Sequence, residues 1–107
     1  MAVMKLDSKQ FAHLIGEGKP VVVDFWAPWC GYCRRIDPVY ERMAKDLEGQ
    51  ILLAKVNIDE EPELAEKERI ELIPTLVFYK DGKPLGDLVA PTAKADIDNW
   101  LRQLMEE

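Results

Sequence analysis

The chain has 107 residues, enough for one core and too few for a second, so residues 1–107 are expected to form a single domain. Hydrophobic residues at 48% and charged residues at 32% fit an ordinary globular domain and exclude disordered and fibrous classes. No apolar run reaches the roughly 18 residues of a membrane span, and a net charge of -6 repels phosphate backbones and anionic lipids, which sets nucleic acid and membranes aside as partners.

From Met1 to Ser8 there is no long apolar stretch, and Lys5 and Asp7 fall where an export signal would be greasy. A cytoplasmic location is expected, a periplasmic one being the alternative if a leader has been removed. Asp7 followed by Gln10 resembles a capping box, after which Phe11, Leu14 and Ile15 share a helical face until Gly16 and Gly18. Pro20 releases the chain into the run Val21 to Trp26, β-branched and aromatic, of the kind that forms a strand buried on both faces. Beyond the turn from Ala27 to Tyr32, the residues Ile36, Val39, Tyr40, Met43, Ala44 and Leu47 recur at helical spacing up to Gly49. Pro38 lies inside that stripe and should kink the helix, since it offers no N–H to the Arg34 carbonyl.

Ile51 to Ile58 reads as the next strand, and Pro62 to about Arg69 as a short acidic helix opened by proline. Thr75 to Lys80 and Leu85 to Ala90 are two strands joined through Asp81-Gly82, a hairpin signal that makes them antiparallel. A last helix begins near Thr92 and carries Ile97, Trp100, Leu101 and Leu104 on one face. Strands alternating with helices predict an α/β fold with a central, mixed and mostly parallel sheet flanked by helices on both faces.

Both cysteines of the chain, Cys30 and Cys33, lie directly after the buried strand and at the start of the long helix. Two intervening residues in a first helical turn let the sulfurs join and separate without moving the scaffold. The unpaired N–H groups and positive dipole end of the helix favour a thiolate, and cysteines in such motifs titrate between about 3.5 and 7.5 instead of about 8.5. Cys30, nearer the helix start, is therefore the expected nucleophile, and Cys33, one turn in, the resolving thiol. A zinc site is disfavoured, because two thiols cannot close a tetrahedral shell and the only histidine, His13, is far away in sequence. A structural bridge closing so short a loop would stabilise little.

At these residues the chain resembles the thioredoxin family. The stretch Asp24-Phe25-Trp26-Ala27-Pro28-Trp29-Cys30, the internal Pro38, Lys55-Val56-Asn57-Ile58-Asp59, and Ile73-Pro74-Thr75 before a strand stand in the order that family has them. The resemblance implies a thioredoxin fold and a protein-disulfide oxidoreductase whose redox group is the Cys30–Cys33 pair, with no bound cofactor and no metal. It implies a cis Ile73–Pro74 bond facing the cysteines, with the Ile73 backbone pairing with the bound substrate strand. Trp29, Gly31, Tyr32, Ile73, Pro74 and Ala90 would form the docking surface. It further implies that Asp24, buried beneath the disulfide, relays a proton to or from Cys33 through water, with Lys55 as its charge partner restraining the upward shift that burial causes. The partners it implies are disulfide-containing proteins and a flavin-containing reductase drawing on NADPH, and the chain itself would be a monomer.

The chain departs from the family pattern at Tyr32, where proline is usual, and at Leu72 and Ala90, where glycine is common. The residues between the cysteines tune the couple, about 30 mV corresponding to roughly 1.4 kcal/mol, so a potential somewhat less reducing than thioredoxin's is expected. Gly31-Tyr32 is similar to what periplasmic disulfide isomerases and some glutaredoxins carry, whereas Ile73 before the proline is typical of thioredoxins. The alternatives are an oxidase or isomerase of an exported compartment, and a glutaredoxin-like module binding an iron–sulfur cluster between two chains. Side chains at Leu72 and Ala90 would narrow the partner range, since glycine permits closer backbone approach.

Overall fold

The capping box expected at Asp7 forms, with the Asp7 carboxylate accepting the Gln10 N–H at 2.8 Å and the Gln10 side chain accepting the Asp7 N–H at 2.9 Å. It starts helix α1 (Ser8–Gly16) in the computed structural model, which describes residues 3–106. Ahead of it lies a strand the sequence pattern did not announce, β1 (Val3–Lys5). After it come β2 (Val21–Trp26), α2 (Gly31–Asp46), β3 (Leu52–Asn57), α3 (Pro62–Lys67), β4 (Thr75–Lys80), β5 (Lys83–Val89) and α4 (Lys94–Met105). The hairpin turn places Asp81 at φ +57° and Gly82 at φ +80°, the left-handed pair that a tight two-residue turn between twisted strands requires. Strand β5 therefore begins two residues earlier than the apolar run suggested.

The strands are ordered β1-β3-β2-β4-β5 in one mixed sheet. β3 pairs in parallel with both β1 and β2, while β4 pairs antiparallel with β2 as well as with β5, so the antiparallel half of the sheet extends beyond the hairpin. Alternation along each strand divides the core. Val22, Leu53, Leu76 and Phe78 face Ile36, Tyr40 and Met43 of α2 and Ile97 and Leu101 of α4. Val21, Val23, Phe25, Ala54 and Val56 face Phe11 of α1 and Leu64 of α3. The helical stripe on α2 is the one its spacing predicts, and Trp100 packs against the same layer.

Two consequences fix the site. Asp24 alternates with Val23 and Phe25 and so points to the α2 side of β2, where Lys55 of β3 is its register partner. The OH of Tyr40, fully buried, lies 2.9 Å from the Val22 carbonyl and 2.7 Å from the Ala54 carbonyl, tying α2 to both central strands beside that position. No helix among the described residues is long and apolar enough to cross a membrane.

Candidate active site

Cys30 ends the turn that follows β2 and caps α2. Its backbone is extended, and its Sγ accepts the Cys33 N–H at 3.1 Å. The sulfur thus occupies the place a serine or aspartate oxygen takes at an N-cap, where orphan amides and the helix dipole favour negative charge. On its other side it lies 3.9 Å from the Ile73 carbonyl oxygen, to which the thiol can donate. Both cysteines are free thiols and nearly closed off, with 7% of Cys30 and 3% of Cys33 exposed. Ala27 is buried with them, and Trp26, Ile58 and Ile73 pack against the group. The Ile73–Pro74 peptide is cis, as the resemblance implies.

Around this nearly buried pair stands an exposed apolar rim. Trp29 is 66% exposed, Tyr32 59% and Leu72 64%; the first two flank Cys30 in the chain, and Leu72 precedes Ile73, whose carbonyl reaches the Cys30 sulfur. The Trp29 indole N–H donates to Asp59 Oδ1 at 3.2 Å, and the Arg35 guanidinium sits 5.5 Å over the Tyr32 ring, so both aromatic rings are held in place while presented to solvent. Gly31 opens α2 with open space where a side chain would begin. The Ala90 N–H donates to the Pro74 carbonyl at 2.7 Å, and it does so at φ +47°, a left-handed backbone that glycine adopts more readily. Of the residues expected at the docking surface, Trp29, Gly31, Tyr32 and Ile73 surround Cys30, while Pro74 is buried behind them and tied to Ala90.

Beneath the cysteines Asp24 is 2% exposed, and its Oδ1 has no hydrogen-bond partner among the described residues. Burial pushes its carboxyl from 3.8 up to about 7, the charge on Lys55 restraining the rise and that on Asp37 adding to it. Lys55 is not bonded to Asp24, however. Its ammonium pairs with Asp37 Oδ1 at 3.3 Å and lies 4.9 Å over the Trp26 ring, so its influence on Asp24 acts through space. Burial pushes the Cys33 thiol up as well, and its hydrogen bond to Cys30 adds to the rise. A cavity of about 160 Å³ adjoins these groups, lined by Asp24, Trp26, Cys33, Arg34, Asp37 and Lys55; it has room for water and charged side chains in its wall to bond it.

Asp37 is the member of this cluster that sequence reasoning missed. The signal was present, because Asp37 follows Cys33 by four residues and so shares its helical face. Asp59, which fixes Trp29, carries no such signal, since only the fold brings the two together. Among the described residues no three His, Cys, Asp or Glu side chains converge to hold a metal ion.

Comparison with known proteins agrees with this geometry. The thioredoxin family model matches residues 2–103. A thioredoxin of Alicyclobacillus acidocaldarius is 38% identical over 98% of this chain and 100% of its own. A bifunctional thioredoxin reductase/thioredoxin of Mycobacterium leprae is 38% identical over 83% of this chain, which matches 19% of that longer protein. The crystal structure of the thioredoxin of Malassezia sympodialis superposes with a TM-score of 0.87 at 32% identity, covering 94% of this chain and 91% of the other.

Proposed function

Because the chain belongs to the thioredoxin family and is a thiol–disulfide oxidoreductase, we propose that Cys30 and Cys33 reduce disulfides of other proteins in two exchange steps. The Cys30 thiolate attacks one sulfur of the substrate disulfide. A Cys30–substrate mixed disulfide forms, and the substrate's other sulfur leaves as a thiolate and takes up a proton. Cys33 then passes its proton through water to the Asp24 carboxylate and attacks Cys30 Sγ, which releases the second substrate sulfur and closes the Cys30–Cys33 bond. The substrate disulfide gains two electrons and the dithiol loses them.

The observation that carries this reading is the Cys30 sulfur in the N-cap position, 3.1 Å from the Cys33 amide and ringed by exposed Trp29, Tyr32 and Leu72. Nucleophile activation and a docking rim are thereby brought to one spot. Trp29, Gly31, Tyr32, Ile73, Pro74 and Ala90 form the substrate surface, and Asp24 is the base, a carboxyl near 7 exchanging protons readily at neutral pH. Residues 1–107 act as one domain and as a monomer, with no bound cofactor beyond the dithiol itself, in the cytoplasm. Rereduction comes from an NADPH-dependent flavin reductase, a pairing supported by the mycobacterial relative whose name joins the two activities in one chain.

The test is the potential of the Cys30–Cys33 couple, titrated against glutathione or dithiothreitol. The reductase reading expects a value closer to about -270 mV than to about -180 mV, and a value at or above about -180 mV would overturn it in favour of an oxidase or isomerase.

A further inference from the structure

Lys55 and Asp24 occupy adjacent strands in register and point to the same face, which makes Asp24 the nearest carboxylate that the sheet itself offers the lysine. The ammonium nevertheless lies with Asp37 at 3.3 Å and over Trp26 at 4.9 Å, and Asp24 Oδ1 has no partner among the described residues. The Asp37 side chain is 45% exposed against 11% for Lys55, so the lysine is drawn toward the solvent side of the cavity that connects Asp24 with Cys33. Arg34 lines the same cavity, but its guanidinium donates outward to the Pro28 carbonyl at 3.3 Å.

We propose that Asp37 is a positioning residue of the exchange reaction: by anchoring Lys55 on the solvent side of the cavity, it keeps Asp24 unpaired and its water route to Cys33 open. The proposal rests on Asp24 being the base. Removal of the Asp37 charge frees a flexible four-carbon stem, and the ammonium then swings to the buried carboxylate facing it across the strand pair. An Asp24–Lys55 contact would fill the proton route and hold Asp24 ionised. The groups that face Asp24 are Lys55 from β3 and Cys33, Arg34, Asp37 and Tyr40 from α2, while its register neighbour on β4 is the uncharged Leu76.

The experiment is a double-mutant cycle on the full reduced chain with Asp37→Asn, Lys55→Gln and the pair together. The Asp24 carboxyl is titrated by carbon-13 NMR, and the rate of mixed-disulfide resolution is measured across the same pH range. Asp37→Asn is expected to lower the Asp24 midpoint by about one pH unit or more, and Lys55→Gln to raise it. In the Lys55→Gln background, Asp37→Asn should shift the midpoint much less, because no ammonium remains to be released. An unchanged midpoint in Asp37→Asn, or the same shift in both backgrounds, overturns the proposal, the second because Asp37 would then act as a bare charge. If the midpoint moves as expected while the acid limb of the resolution rate stays put, the anchoring stands and the role of Asp24 as base falls.

Discussion

Asp24 of β2 and Lys55 of β3 are register partners on one face of the sheet, yet the lysine pairs with Asp37 and leaves a carboxylate oxygen of Asp24 unbonded in the core. A buried carboxyl in that condition weakens the fold whenever it ionises. The weakness falls beside Cys33, where a readily exchanged proton serves the exchange proposed above.

That cost is measurable as pH-dependent stability. Below about 4 Asp24 is protonated in the folded and unfolded chain alike and costs nothing. As pH rises from there to about 7 the unfolded chain loses a proton that the folded chain keeps, so stability falls across this window and levels off above it. At about 1.4 kcal/mol per pH unit the loss comes to roughly 4 kcal/mol. Asp24→Asn should therefore be more stable than the parent by a few kcal/mol in urea unfolding at pH 8, with the gain shrinking toward zero at pH 4. The same difference at both pH values would contradict the assigned ionisation.

Tyr32 sits inside the first turn of α2 between the sulfurs, held by the Arg35 guanidinium rather than by a rigid ring of its own backbone. Tyr32→Pro should stiffen the turn and make the couple more reducing by tens of millivolts, a few tens corresponding to about 1.4 kcal/mol. Equilibration with a glutathione series reads the difference directly. A potential unmoved or raised by the substitution would remove Tyr32 as the tuning residue.

Ala90 holds φ +47° while its N–H bonds the Pro74 carbonyl at 2.7 Å. An alanine in the left-handed region is strained by about 1 kcal/mol, so Ala90→Gly should raise stability by up to that amount in spite of glycine's greater freedom when unfolded. It should also widen the range of protein disulfides reduced, because a methyl group beside the docking groove is gone. Melting and a panel of disulfide substrates check both halves, and a destabilised variant would show that the backbone here is relaxed as it stands.

Much of this was legible in the residues themselves. Asp7 and Gln10 announced a capping box, Val21 to Trp26 a buried strand, the Ile36–Tyr40–Met43 stripe the inner face of α2, and Asp81-Gly82 the hairpin, because each is a local pattern with a local physical cause. Strand β1 was not legible, being three residues long with only Val3 buried, too short for alternation to register. Nor was the antiparallel pairing of β4 with β2, which depends on where the chain returns after α3 rather than on any residue nearby. In the site, Cys30 and Cys33 adjoin as their spacing implied, and Asp24 shares a cavity with Cys33 as the resemblance to thioredoxins implied. Lys55 restrains the rise at Asp24 as the resemblance implied, but its direct pairing with Asp37 was not legible, because the rotation of α2 that brings Asp37 within 3.3 Å is a tertiary property.

Trapping of covalent adducts decides whether Cys30 attacks and Cys33 resolves. Cys33→Ser and Cys30→Ser are each reduced, mixed with a disulfide-bonded protein and separated without reductant, and the covalent adducts are counted. Abundant adducts are expected with Cys33→Ser and none with Cys30→Ser, since only the N-cap sulfur is poised to attack. Equal trapping by both variants, or trapping by Cys30→Ser alone, would contradict it.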